Sequence, residues 1–197
     1  FILSLVGIFY IISEFGLENL IVRDIAVKKE QALSYLSNAS LIKLGLAILS
    51  IIIITVFINF TDKTQDVKLG VYIISITLLT GGVCSSLESI FNAFEKLKYI
   101  AYLEIFINCA KLAGAFILFF TNLTLLNLLV LILCLSITRL FLGFAITHSK
   151  FFRVGFLYDK SIFTYLFKTA FPFALMGIIT VIYFRVVDPE RATIQVE

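Results

Sequence analysis

The sequence predicts an all-α integral membrane protein, and three observations lead to this fold class. Hydrophobic residues make up 60% of the 197-residue chain and charged residues only 15%, whereas soluble domains average about 45–50% and about 25%. The mean hydropathy is +1.06. The apolar residues also form long uninterrupted runs, such as 48–60. One core in about 200 residues cannot hide so much apolar surface from water, so lipid is the expected solvent.

Six apolar segments are long enough to cross a bilayer, which takes about 20 residues. Because lipid offers no hydrogen bonds to the backbone, each run is expected to form a helix, and none shows the alternation of a barrel strand. Glu14 and Glu18 interrupt the first segment, which is therefore also compatible with a re-entrant or partial span. We expect a polytopic bundle of about six transmembrane helices at residues 1–22, 39–60, 70–93, 99–121, 125–147 and 165–187.

Basic residues predict the orientation of these spans. Most Lys and Arg residues outside the spans fall in the alternate loops 23–38, 94–98 and 148–168. Cytoplasmic loops carry an excess of these residues, so we expect these three loops to be cytoplasmic.

The loop at 148–164 is the longest connector and predicts a division of the chain. It is basic and aromatic, and we expect it to lie at headgroup level through Phe151, Phe152, Phe156 and Tyr158. It separates an N-terminal transmembrane bundle of five helices from a sixth helix. The predicted units are the bundle at 1–147, the connector at 148–164, the helix at 165–187 and an atypical charged tail at 188–197.

Polar residues recur at helical spacing on three spans, which predicts a hydrated cavity between them. Small polar residues also serve as helix contacts in membranes, so part of this pattern is compatible with packing alone. An ion pair between Lys43 and Glu88 would likewise be structural. The three stripes are Thr77, Gly81, Ser85, Glu88 and Asn92 in the third span; Glu104, Asn108 and Lys111 in the fourth; and Ser136, Arg139, Gly143 and Thr147 in the fifth.

Charges deep in the membrane are the candidate functional residues, because each costs about 2.5–3.5 kcal/mol at the centre of a span. Lys111 and Arg139 are expected to line a cavity of positive potential that attracts an anion, with phosphate as the first candidate. Glu14 is a candidate counter-ion or a proton or cation site, and Glu88 and Glu104 are further candidates for that role. Pro172 predicts either a hinge or a tolerated proline near a helix start.

The residues that most enzymes need are not grouped in this sequence. There is no histidine cluster, no paired-carboxylate motif and no glycine-rich phosphate loop. We therefore expect no enzyme, no metal, no cofactor and no nucleic-acid partner. The classes left open are a transporter of an anionic cargo, an antiporter of drugs or cations and, less favoured, a membrane-embedded enzyme such as a glycan polymerase.

Two motifs resemble a known family. SEFGLENLIVRDIA at 13–26 resembles the end of the second helix of the polysaccharide biosynthesis and export family, and LFKTAFPFALMGIITVIYFRVV at 166–187 is similar to its seventh helix. These lipid-linked oligosaccharide flippases are related to MATE transporters. The resemblance implies that residues 1–188 are a fragment containing helices two to seven of about 12–14.

The same resemblance implies alternating access across the inner membrane of a prokaryote. Its expected cargo is an anionic oligosaccharide on a polyprenyl diphosphate, with H⁺ or Na⁺ as a coupling ion and polysaccharide assembly proteins as further partners beside the membrane lipids. Arg23 and Arg185 lie on the matched motifs and are implied substrate contacts. Lys111 and Arg139 are added to them from their depth in the membrane.

Overall fold

Every regular element of the described residues is helical, which confirms the all-α prediction. The structure is a computed structural model that describes residues 2–14, 16–121, 124–153 and 155–186, without the side chains of residues 12, 173–175 and 177–186. The helices are α1 (Ile2–Glu14), α2 (Leu17–Val27), α3 (Ala32–Asn59), α4 (Gln65–Ser75), α5 (Thr77–Ala93), α6 (Lys98–Thr121), α7 (Leu125–Lys150) and α8 (Lys160–Val186), with one 3-10 turn at Lys29–Gln31.

Four described segments are long and apolar enough to cross a membrane. They agree with the second to fifth predicted spans, although each helix continues beyond its apolar run. The α1 region adds a shorter apolar helix at Ile2–Ile11. The four segments are Lys29–Asn59, Gln65–Ala93, Lys98–Thr121 and Leu125–Lys150.

The first predicted span is a broken helix. It divides between α1 and α2 at Gly16, whose φ of 62° lies in the left-handed region that favours glycine. Glu14 and Glu18, which interrupt the first apolar run, flank the break at Gly16. The third predicted span contains α4 and α5, which meet at Ile76, where the backbone keeps helical angles (φ −62°, ψ −27°). At this junction the Thr77 hydroxyl donates to the carbonyl of Ile74 across 2.6 Å.

The connector between α7 and α8 is shorter than the predicted 148–164, since α7 continues to Lys150 and α8 begins at Lys160. Phe151 packs against the bundle, with ring centroids 5.3 Å from Phe91 and 5.2 Å from Phe94, so its ring faces other helices. Phe152 also packs against the core. Phe156 and Tyr158 are exposed, as a headgroup position requires.

The side chains of two residues of α3 form hydrogen bonds with the backbone of this connector. Ser37 donates to the carbonyl of Gly155 across 3.3 Å and accepts from the amide of Leu157 at 3.2 Å. Asn38 donates to the carbonyl of Leu157 and accepts from the amide of Asp159, both at 3.3 Å. Asp159 in turn caps the start of α8 by accepting from the amide of Ser161 at 2.8 Å.

Two apolar clusters form the core, and a polar layer lies between them. One cluster joins α2, the first half of α3, the second half of α5 and α8, and includes Leu17, Ile25 and Leu87. The other joins α1, the second half of α3, α4 and the starts of α5 and α7, and includes Ile54 and Leu78. Charged residues of α1, α3 and α5 occupy the layer between the clusters.

Helix α5 is central because small residues let its neighbours approach closely. It contacts α1, α2, α3, α4 and α7. A Cβ atom on Gly82 would lie 3.1 Å from Cβ of Lys43, and one on Gly143 of α7 would lie 3.2 Å from Leu87. Small residues at such crossings are typical of packed membrane helices.

Candidate functional site

The polar layer contains a buried ion pair between α1 and α3. Lys43 Nζ lies 2.5 Å from Glu14 Oε2 and 2.5 Å from the Ser85 hydroxyl of α5, which donates to the same carboxylate oxygen at 2.9 Å. The Lys43 side chain is fully buried and that of Glu14 is 20% exposed. The sequence suggested Glu88 as the partner of Lys43, but the structure pairs Lys43 with Glu14.

A second ionic group joins α5, α6 and α7. Arg139 donates from Nε to Glu88 Oε1 at 2.9 Å and from a terminal nitrogen to Glu104 Oε1 at 2.5 Å. A planar guanidinium has several donors in fixed directions, so it can hold two carboxylates at once. Because α6 has few contacts with α5, Arg139 is the main polar link between these helices.

A cavity of about 230 Å³ opens beside both ionic groups. Most of the stripe predicted on the third span lines it, as do Ser136 and Arg139 of the fifth span, whereas Asn92, Gly143 and Thr147 do not. Helix α1 adds a tyrosine that the sequence did not single out. The ring of Tyr10 lies against Gly81, where a Cβ atom would come within 2.7 Å of it. The lining residues are Tyr10, Thr77, Gly81, Cys84, Ser85, Glu88, Ile132, Ser136 and Arg139.

The stripe predicted on the fourth span is only partly at the cavity. Glu104 reaches Arg139, but Asn108 and Lys111 are exposed on α6 and do not line the cavity. Since Glu104 meets Arg139 and Gly114 lies against Leu131, Lys111 lies at the level of Ile132 and Ser136 in the antiparallel pair of α6 and α7. Lys111 therefore lies beside the cavity-lining residues of α7 in height, but its predicted place in the cavity wall is not found.

The charge of this site differs from the expectation of a positive cavity. Three carboxylates, of Glu14, Glu88 and Glu104, surround two cations, Lys43 and Arg139. One carboxylate oxygen, Glu14 Oε1, is buried and has no hydrogen-bond partner in the described part of the chain. This excess of one carboxylate, which includes the 44% exposed side chain of Glu104, favours a cation or a proton over an anion, so the positive potential predicted for this region is not found there.

The other predicted site residues lie away from this layer. Arg23 near the end of α2 forms an ion pair with Asp24 at 2.9 Å and donates to the Tyr165 hydroxyl of α8 at 3.1 Å. Pro172 lies inside α8, and the helix continues on both sides of it. The Arg185 side chain and the tail 188–197 lie outside the described residues.

Comparison with known proteins adds one match that covers nearly the whole chain. The family model described as "Polysaccharide biosynthesis protein" matches residues 1–187. The chain belongs to the polysaccharide biosynthesis protein family. No curated protein and no solved structure matches it. Taken together with the four apolar segments of membrane-spanning length, this places the chain among membrane proteins of polysaccharide synthesis or export.

Within this polysaccharide biosynthesis protein, sequence reasoning found most members of the ionic layer but not their pairing. Glu14, Glu88, Glu104 and Arg139 were identified because charges are rare in apolar runs. For Lys43 the sequence suggested only a structural ion pair with Glu88, since the apolar run of its span begins at about residue 39 and Lys43 lies close to that start. The start of α3 at Ala32 places Lys43 three turns inside the helix, and only the helix boundaries reveal this depth.

Proposed function

We propose that this protein moves a lipid-linked oligosaccharide from the cytoplasmic to the outer leaflet of a prokaryotic inner membrane. It would act as a transporter rather than an enzyme, for polysaccharide or O-antigen-type biosynthesis, beside assembly proteins of the same system. The observation that carries the proposal is the ionic layer between two apolar clusters of membrane helices. Ionisable groups at such depth usually mark a substrate or ion pathway, and the family supplies the glycan.

A coupling role for Glu14 follows from its surroundings. Oε2 receives both Lys43 and Ser85, while Oε1 is buried without a described partner. A proton or Na⁺ bound there would weaken the attraction between Glu14 and Lys43. Because that pair connects α1 to α3, the binding energy would act on the relative position of two helices, which is the requirement for alternating access.

The substrate contacts in this proposal are the four basic residues Arg23, Lys111, Arg139 and Arg185. Lys111 forms no ion pair with any described residue, so its ammonium is available to an anion. Arg139 is held by two carboxylates, so an anionic substrate would have to compete with Glu88 and Glu104. Pro172 remains the candidate hinge of α8.

The test uses the full-length protein reconstituted in vesicles with a fluorescent polyprenyl-diphosphate oligosaccharide. We expect translocation that responds to an imposed H⁺ or Na⁺ gradient. Glu14→Gln should abolish that response, whereas Glu30→Gln, on an exposed residue of the 3-10 turn, should preserve it. Wild-type protein that leaves the glycolipid in its original leaflet would overturn the proposal. A second test expresses the full-length gene in flippase-deficient strains that make cognate glycans, and failure to restore their surface polysaccharide would also overturn it.

The excess of carboxylate in the ionic layer also favours a second candidate, an antiporter of organic cations. Such a protein would bind its cargo at Glu88 and Glu104 in place of Arg139. Efflux of a lipophilic cation from the same vesicles, without movement of the glycolipid, would support this function instead. The family match and the basic residues outside the layer favour the glycolipid.

A further inference from the structure

A second and larger pocket lies where α8 meets α2 and the start of α3. Its volume is about 550 Å³, within the range of about 300–1,000 Å³ for small-molecule sites. It is more than twice the size of the cavity in the ionic layer and lies at the end of the molecule that carries the connector. The lining residues are Arg23, Asp24, Val27, Lys28, Tyr35, Ser161, Ile162 and Tyr165.

Hydrogen bonds among the polar side chains of this pocket fix their positions. Asp24 accepts from Arg23 Nε at 2.9 Å and from the Tyr35 hydroxyl at 3.5 Å. Arg23 also donates to the Tyr165 hydroxyl at 3.1 Å, which joins α2 to α8. Lys28 has no ion pair with any described residue. The pocket therefore contains one unpaired cation beside a network of hydroxyls, a guanidinium and a carboxylate.

The geometry points to a binding site for the phosphate–sugar junction of a prenyl-diphosphate glycan, and this inference rests on the proposed function. Lys28 and Arg23 offer charge-assisted hydrogen bonds to phosphate oxygens. Asp24, Tyr35 and Tyr165 offer acceptors and donors that match sugar hydroxyls, which both donate and accept. The pocket carries one more cation than carboxylates, so it suits an anion better than the ionic layer, where Glu88 and Glu104 compete for Arg139.

This assignment separates the two ligands of the transporter. The layer around Glu14 and Arg139 holds more carboxylates than cations and takes the coupling cation. The pocket at the seam of α2 and α8 holds more cations than carboxylates and takes the anionic end of the glycolipid. Because the seam joins α8 to the bundle through the bond from Arg23 to Tyr165, a ligand there would replace a contact between the helices.

The first experiment measures binding of farnesyl diphosphate to the purified full-length protein. Lys28→Met should weaken binding about tenfold. The neighbouring Lys29→Met is the matched control, because Lys29 lies 5.4 Å from the Phe94 ring centroid and does not line the pocket. Equal affinities of the two variants would overturn the phosphate assignment, and inorganic phosphate as a competitor shows whether the lipid contributes.

The second experiment tests the sugar half with farnesyl-diphosphate-linked monosaccharides of several hexoses and N-acetylhexosamines. At least one sugar should increase affinity above that of farnesyl diphosphate. Tyr165→Phe and Asp24→Asn should remove that increase, while Tyr158→Phe, on an exposed connector residue outside the pocket, should keep it. No increase with any sugar, or an increase that survives both pocket variants, would overturn the sugar assignment.

The experiments distinguish failure of the proposed flippase function from failure of the proposed binding pocket. Wild-type protein that binds these probes through Lys28 but moves no glycolipid would refute the flippase and leave the pocket standing. Protein that moves glycolipid equally well in its Lys28→Met and Lys29→Met forms would refute the pocket and leave the flippase standing.

Discussion

Lys43 of α3 and Glu14 of α1 form an ion pair of 2.5 Å in which the lysine side chain is completely buried. Desolvation of two charges is costly, and their mutual attraction repays it only when the geometry is good and other groups complete the hydrogen bonds. Ser85 supplies one such group, and Glu14 Oε1 lacks one among the described residues. The pair is therefore held in place yet incompletely satisfied, as a switchable contact must be.

Removal of one partner of this pair should destabilise the protein more than removal of both partners. Lys43→Met leaves the Glu14 carboxylate without its cation and should lower the free energy of unfolding by about 3–5 kcal/mol. The double variant Lys43→Met/Glu14→Gln should regain most of that loss and still fail to transport. Thermal unfolding of the solubilised protein measures the stability, and a double variant as unstable as the single one would contradict the coupling between the two residues.

Arg139 should be sensitive to shape as well as charge. Arg139→Lys keeps the positive charge, but its single ammonium cannot reproduce the directed donors that reach Glu88 and Glu104. We expect normal membrane insertion with transport reduced about tenfold or more in Arg139→Lys and abolished in Arg139→Ala. Insertion is measured by membrane fractionation and transport in vesicles, and full activity of Arg139→Ala would remove the residue from the site.

Gly82 should tolerate no larger residue, because its backbone lies against Lys43. Gly82→Val should lower the free energy of unfolding by about 1–3 kcal/mol through overpacking at the crossing of α3 and α5. Gly7→Val is the matched control, since a Cβ atom there meets nothing within 4 Å. Melting temperatures of the two purified variants check this, and similar values for both would show that the crossing is not tightly packed.

Asn38 should hold the connector to the bundle. Asn38→Leu removes the acceptor for the Asp159 amide and the donor to the Leu157 carbonyl. Each bond contributes about 1 kcal/mol, so hydrogen exchange at the Asp159 amide should accelerate about tenfold or more. Asn59→Leu, at the far end of α3, should leave that rate unchanged, and an equal rate in all three proteins would mean that Asn38 does not hold the connector.

The membrane-spanning helices and part of the polar stripes could be predicted from the sequence, because a lipid environment restricts the backbone to a few structures. Long apolar runs must form helices, since lipid cannot satisfy the backbone, and the second to fifth predicted spans correspond to observed helices. The stripes on α5 and α7 were predictable because helical spacing places Ser85 with Glu88 and Ser136 with Arg139 on one face. The stripe on α6 failed at Lys111, because spacing identifies a face but not what the face meets.

The sequence by itself determined that most of this protein lies in lipid and that its fold is all-α. It also determined which charged residues had to be accommodated in the membrane. Only the tertiary structure decided that Lys43 meets Glu14, that Arg139 meets two carboxylates and that Arg23 meets Tyr165. The physical reason is that a charge in lipid requires a partner, but many partners satisfy that requirement. The helix break at Gly16, together with the close helix crossings at Gly82 and Gly143, selects one arrangement from among them.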